Sequence, residues 1–131
     1  MYLRFIKGKR KNIPSYGKLI AKSFHPQTID KKQLFDELQK EANAKQPVVE
    51  QVLSGLAKLL KYHLQNGDIV EIPHIGTMKM DVESRTFDSA DDFEPSRHIK
   101  RHKISFIPES YKGKQALLEG IQYTILPIKD E

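Results

Sequence analysis

Asn66-Gly67-Asp68-Ile69-Val70-Glu71-Ile72-Pro73-His74-Ile75-Gly76-Thr77-Met78 is the stretch on which the reading of the whole chain turns. Asn66-Gly67 stops a helix, because glycine takes the left-handed cap conformation with no Cβ to obstruct it. Asp68 to Ile72 reads as a strand, and Pro73-His74-Ile75-Gly76 turns the chain. Thr77 to Val82 returns with period two, Met78, Met80 and Val82 on one face and Lys79 and Asp81 on the other.

The helix that ends at Asn66 begins near Pro47, which fits a first helical position because it has no N–H to leave unpaired. Val49, Val52, Leu53, Leu56, Leu59, Leu60 and Leu64 form an apolar stripe along it. A stripe this wide on a small domain needs two partners, a neighbouring helix and a second subunit. Asn43-Ala44-Lys45-Gln46 is a short connection to that neighbouring helix. Its start is marked by Asp30 as N-cap with Gln33 three residues on, a capping-box spacing. Thr28 is the competing cap, and Ile29 and Leu34 stand where a hydrophobic staple would pair them. Leu34, Phe35, Leu38 and Ala42 share one helical face. Before the helix, residues 2–7 and 18–24 read as strands joined by a turn region from Lys9 to Gly17, together a basic hairpin.

Beyond the decisive stretch, Arg85 to Ser96 is polar, acidic and turn-like, with the composition of a mobile tip. Ile99 to Ile107 resumes as a strand with Ile104 and Phe106 on one face, and Pro108 to Tyr111 breaks it. Lys112 to Glu119 reads as a short helix ended by Gly120, and Ile121 to Leu126 as a last strand. No internal repeat is present.

The chain has 131 residues, 30% of them charged and 38% hydrophobic, which suits one globular domain. It has no cysteine, so disulfides, zinc thiolate sites and cysteine nucleophiles are excluded, and a reducing cytoplasm is expected. No apolar run approaches the ~18 residues of a membrane span, and the opening Met1 to Lys7 is too short an apolar stretch for a signal peptide. Charge is unevenly spread. Residues 1–26 hold seven basic side chains and no acid. Residues 81–95 hold six acids against Arg85, and residues 97–103 then carry Arg97, Lys100, Arg101 and Lys103 with two histidines. Two basic clusters are the electrostatic footprint of a polyanion binder.

Two helices, a Gly-Asp, a short hairpin, a basic return strand and a short terminal helix make an order that resembles the HU and integration-host-factor family of bacterial DNA-bending proteins. The stretch from Gly67 to Met78 is similar to the family's Gly-Asp-x-Val-x-Leu-x-x-Phe-Gly-Thr-Phe, with Ile75 and Met78 in place of the aromatics. Phe106, Gly113-Lys114 and Leu117 are similar to its Phe-x-x-Gly-Lys-x-Leu ending, with a few residues inserted around Glu109 to Tyr111. The basic hairpin in front resembles the extension of a divergent HU-like branch of Bacteroides-type bacteria. The resemblance implies an α+β fold: N-terminal β-hairpin extension, helical hairpin, antiparallel sheet with a shortened arm, short C-terminal helix, and an intertwined homodimer. It divides the single domain 1–131 into a basic strand extension (1–27), an HU-like core (28–121) and a C-terminal strand or tail (122–131). The implied dimer core is Val49, Val52, Leu53, Leu56, Leu60, Leu64, Ile75, Met78 and Phe106.

One departure bears on mechanism. The family's arms end in Arg-Asn-Pro, whose proline wedges into the minor groove. Here the tip is Phe87-Asp88-Ser89-Ala90-Asp91-Asp92-Phe93-Glu94-Pro95, acidic and shorter. Carboxylates beside phosphate repel it, so the fold carries over and the proline wedge does not. Phe87 and Phe93 are expected to fold back onto the subunit.

No catalytic constellation is present, and neither cofactor nor small-molecule substrate is expected. His98 and His102, four apart on a strand, stand about 13 Å apart, too far to share a metal ion. His74 belongs to the turn, and His25 and His63 have no obvious partner. Gly113-Lys114 lacks a preceding glycine-rich phosphate loop, and Ser54 beside Gly55 lies mid-helix. Two functions remain open. The first is an architectural DNA-binding homodimer of the nucleoid, acting on double-stranded DNA through Lys79, Arg97, Lys100, Arg101 and Lys103 on the arm strands and Arg4, Lys7, Lys9, Arg10 and Lys11 on the hairpin. The second is a dimeric protein-interaction module that keeps the fold without the DNA.

Overall fold

The computed structural model describes residues 1–8, 17–109 and 116–127. Among the described residues there are ten elements, and the chain divides into two units, residues 1–37 with 120–131 and residues 38–119, the division falling within the first helix.

In the first unit β1 (Tyr2–Lys7) and β2 (Leu19–Phe24) form the expected antiparallel hairpin, in register from Tyr2↔Phe24 to Lys7↔Leu19. A third strand, β6 (Thr124–Ile125), adds in parallel to the other side of β1, giving the order β2-β1-β6. Thr124 N–H donates to the Met1 carbonyl at 2.9 Å and Leu126 N–H to that of Leu3 at 2.8 Å. The last strand is therefore shorter than the run Ile121 to Leu126, and its place is in the N-terminal sheet.

Helix α1 (Lys31–Ala42) starts where the cap spacing puts it: Asp30 Oδ1 accepts the Gln33 N–H at 2.8 Å. The reciprocal half of the box is not formed, because the Gln33 side chain donates to Glu37 one turn on. Ile29 and Leu34 are both exposed, so no staple closes over the cap. At the other end Asn43 takes a positive φ, and Ala44 N–H reaches the Gln39 carbonyl. This is a Schellman ending, satisfying carbonyls the helix leaves unpaired. Helix α2 (Gln46–Gln65) ends the same way: Gly67 has φ +85°, and Asp68 N–H donates to the His63 carbonyl at 2.9 Å. His63 Nδ1 and Asp68 Oδ2, 2.8 Å apart, add a side-chain bridge across the same cap.

The second sheet has the order β3-β4-β5, formed by β3 (Val70–Ile72), β4 (Gly76–Ser84) and β5 (Ile99–Pro108). Ile75 N–H donates to the Ile72 carbonyl around Pro73 and His74, and His74 has φ +66°. Proline second and a positive φ third are the marks of a type II turn. Gly76, next in line, is paired with Pro108, so proline ends the strand from within the ladder instead of before it. A Cβ on Gly76 would meet the Ile107 backbone carbonyl and the Phe106 ring, 2.8 Å away. Only glycine lets β5 pass so close.

Among the described residues the buried apolar side chains are Val49, Leu64 and Ile72. Helix α1 buries none of its residues, while α2 buries Val49 and Leu64 of its stripe. Leu56, Leu60 and Met78 are half-buried, while Val52, Leu53, Ile75 and Phe106 are exposed. The expected terminal helix over 112–119 lies mostly outside the described residues. From Ala116 to Gly120 the chain forms turns, with Gly120 at φ +70°. No helix is long and apolar enough to cross a membrane among the described residues.

Candidate nucleic-acid interface

Strands β4 and β5 pair along their full length, and alternation sorts their side chains onto two faces. One face carries Met78, Met80 and Val82 opposite Phe106, Ile104 and His102. Its Met80, Val82 and His102 line a shallow depression with Leu64, Gln65 and Gly67, so this is the face toward the end of α2. The other carries Thr77, Lys79, Asp81 and Glu83 opposite Ile107, Ser105, Lys103 and Arg101.

Three of the sequence candidates, Lys79, Arg101 and Lys103, thus share the outer face. Lys100 stands apart from the alternation. Glu83 pairs with Arg101 and Ser84 with Ile99, so Lys100 is the extra residue of a bulge. Arg97 lies on α3 (Pro95–His98), a single helical turn just before β5, with its side chain 72% exposed.

These cations are not free of acids. Arg101 Nε donates to Glu83, and Lys100 Nζ stands 4.0 Å from the other oxygen of the same carboxylate. Lys79 Nζ is 3.9 Å from Asp81, and Arg97 is 4.0 Å from Glu94. All are solvent-exposed pairs of the kind worth about 0.2–1 kcal/mol. A phosphate can displace such a carboxylate.

The segment between the strands is not an open loop. Arg85 N–H closes its base on the His98 carbonyl at 2.7 Å. Ala90–Asp92 forms a 3-10 turn, and α3 follows with Pro95 in its first turn. Phe87, Phe93 and His98 pack their rings together at centroid distances of 5.2, 5.2 and 5.9 Å. Glu94 N–H donates to His98 Nδ1 at 2.9 Å, which holds the imidazole against both phenyl rings. The expectation that His98 sits on a strand is corrected: it belongs to α3 and to this cluster. The expectation that the two phenylalanines fold back agrees with it. The signal for the turn was present in Glu94-Pro95-Ser96-Arg97-His98, since proline favours a first helical turn.

The N-terminal candidates divide. Arg4 shares a face with Lys22, while Lys7 lies on the opposite face. Lys9, Arg10 and Lys11 lie outside the described residues. Among the described residues no group of three His, Asp or Glu side chains has the geometry to hold a metal ion.

Residues 1–118 match a family described as "HU domain fused to wHTH, Ig, or Glycine-rich motif" (HU-HIG). A solved structure called a "putative bacterial DNA binding protein", from Bacteroides vulgatus, superposes with a TM-score of 0.70 at 13% identity. The match covers 99% of this chain and 50% of that one, so the chain spans half the length of that relative. An HU mutant from Thermotoga maritima aligns at 22% identity over 62% of this chain and 89% of its own, with a TM-score of 0.44. No curated protein matches the chain.

Proposed function

The chain belongs to the HU-HIG family of fused HU domains, and from that premise we propose that it is a non-enzymatic architectural protein of the bacterial nucleoid, a homodimer that binds double-stranded DNA in the cytoplasm without reading its sequence. The observation that carries this reading is the β4–β5 ribbon, which presents Lys79, Arg101 and Lys103 on one face, Lys100 at its bulge and Arg97 at its outer end. Basic side chains on an antiparallel ribbon neutralise phosphates and release counterions whatever the base sequence. Lys7 on β1, and in sequence Lys9, Arg10 and Lys11, are further basic side chains of the N-terminal unit that add to the chain's attraction for a polyanion.

The uncovered apolar side chains support a dimer. Val52, Leu53 and Leu59 on α2 and Val82, Ile104 and Phe106 on the sheet are all more than a third exposed. Fully burying an exposed side chain of this kind is worth about 1.5–3 kcal/mol; with about half of each still accessible, the six together gain on the order of 5–9 kcal/mol, within the ~5–15 kcal/mol by which a domain is stable. A second copy laid against the α2 stripe and the Phe106 face removes them from water. The core residues Val49, Leu56, Leu60, Leu64, Ile75 and Met78 then continue from one subunit into the other.

DNA lies across the ribbon with little sharp kinking in this reading. Phe87 and Phe93 are engaged with His98, and Asp88, Asp91 and Asp92 lie between them in sequence. Binding titrations against random duplex at several salt concentrations test the proposal. The affinity is expected to fall with a slope of about −0.9 per phosphate neutralised. Replacing Arg97, Lys100, Arg101 and Lys103 by Ala is expected to flatten that slope and weaken all sequences alike.

A second reading, a dimeric protein-interaction module without DNA binding, is favoured by Asp81 and Glu83 standing among the cations of the same face. Absence of duplex binding at low salt would select it.

A further inference from the structure

We infer that the three-stranded N-terminal sheet is a separate binding platform for single-stranded nucleic acid, built from the face that carries Tyr2, Arg4, Lys22 and Phe24. This goes beyond duplex binding on the β4–β5 ribbon and uses none of the same residues.

The register places three cross-strand pairs on that face: Tyr2↔Phe24, Arg4↔Lys22 and Ile6↔Ile20. An aromatic pair stands directly beside a pair of cations. Like charges directly opposite each other weaken a sheet, and residues 1–26 hold no acid to offset them. A bound anion would relieve the unfavourable pair. The Arg4 guanidinium lies over the Phe24 ring, 4.7 Å from its centroid, and its Nε is buried with no hydrogen-bond partner among the described residues. Arg4 is thus held on the aromatic by cation–π attraction, not by a carboxylate.

Exposure identifies the ligand class. Tyr2 and Phe24 keep 42% and 38% of their surface accessible although both are aromatic. Aromatic faces and guanidinium planes on an open sheet take up unstacked bases, and neighbouring cations take the phosphates between them. A duplex offers its phosphates to such a face, but its bases are already stacked on each other. The face therefore prefers a single strand. Ile6 and Ile20 extend the apolar surface by one further pair.

The test uses the full chain with a short labelled oligothymidylate and, separately, a labelled random duplex, both read by fluorescence anisotropy. There is no tryptophan, so tyrosine emission is readable directly, and stacking on Tyr2 quenches part of it. Tyr2→Leu with Phe24→Leu keeps apolar bulk on the sheet and removes both rings. It is expected to weaken oligothymidylate binding about tenfold or more, abolish the quench, and change duplex affinity less than twofold. Lys22→Gln, which leaves Arg4 in place, is expected to lower the salt slope for the single strand only. Tyr2→Phe is expected to keep the affinity. Absence of oligothymidylate binding, or a ring-free variant that binds it as well as the parent, would overturn the inference. So would loss of single-strand binding when Arg97, Lys100, Arg101 and Lys103 are replaced, which would place the strand on the ribbon. Ring-dependent single-strand binding without any duplex binding would leave this inference standing and remove the ribbon reading.

Discussion

Glu83 faces Arg101 directly across the β4–β5 pair, and its carboxylate also reaches toward Lys100 in the bulge beside it. One acid therefore holds two of the cations with which the ribbon would grip phosphate. Glu83→Gln releases both and removes a charge that repels DNA. Duplex affinity is expected to rise several-fold at low salt and the gain to shrink as salt screens it. The stability change is expected to stay below about 1 kcal/mol, because the pairs are exposed. Unchanged affinity would show that Arg101 and Lys100 do not meet DNA.

Gly76 meets a backbone constraint rather than a chemical one. Any Cβ there collides with the Ile107 carbonyl and the Phe106 ring. Gly76→Ala is expected to cost about 1–3 kcal/mol, seen as a lower urea midpoint with an unchanged denaturant slope. Gly55 has nothing near its missing side chain within the single chain, so Gly55→Ala is expected to be neutral or mildly stabilising there, and to cost stability only if a second copy packs on the α2 stripe beside it.

Val52 distinguishes a lone subunit from a dimer. In the single chain it is 64% exposed, and a polar substitution at such a site normally changes stability by less than about 0.5 kcal/mol. If a second copy covers it, Val52→Asp puts an unpaired charge into an apolar contact. Loss of the dimer by sedimentation is then expected, together with loss of the concentration dependence of Tm. Leu56→Asp, at a half-buried position of the same stripe, is expected to unfold the protein as well.

Pro95 occupies the first turn of α3, in the segment that joins β4 to β5. Pro95→Ala is expected to leave affinity and bend angle nearly unchanged in circular-permutation or FRET measurements, and the bend itself to be small. A large bend lost with Pro95 would mean that this turn opens and enters the groove.

Local rules read much of this fold from the sequence because its strongest signals are local. Asp30, Asn66-Gly67 and the alternation of Met78, Met80 and Val82 each act within a few residues, and each appears where spacing puts it. What escaped was set by partners distant in sequence. Nothing within Ile121 to Leu126 tells that Thr124 and Ile125 pair with Tyr2 and Leu3. The acids of the ribbon were visible, but that Glu83 holds Arg101 and Lys100 depends on a register and a bulge that no single strand encodes. His98 read as strand because its neighbours are strand formers, whereas two phenylalanines and the Glu94 N–H hold it in a turn.

The parallel pairing of β1 with β6 sets an order of events during synthesis. The β1–β2 hairpin can close once residue 24 has left the ribosome, since its partners are near in sequence. The other edge of β1 then waits for about a hundred residues before Thr124 and Leu126 supply their N–H groups to Met1 and Leu3. Throughout that interval the nascent chain presents an unpaired strand edge, the feature by which partly made proteins join to the wrong neighbour. The lysines and arginines of residues 1–26 are all of one sign, so two such hairpins would repel each other while the edge is open.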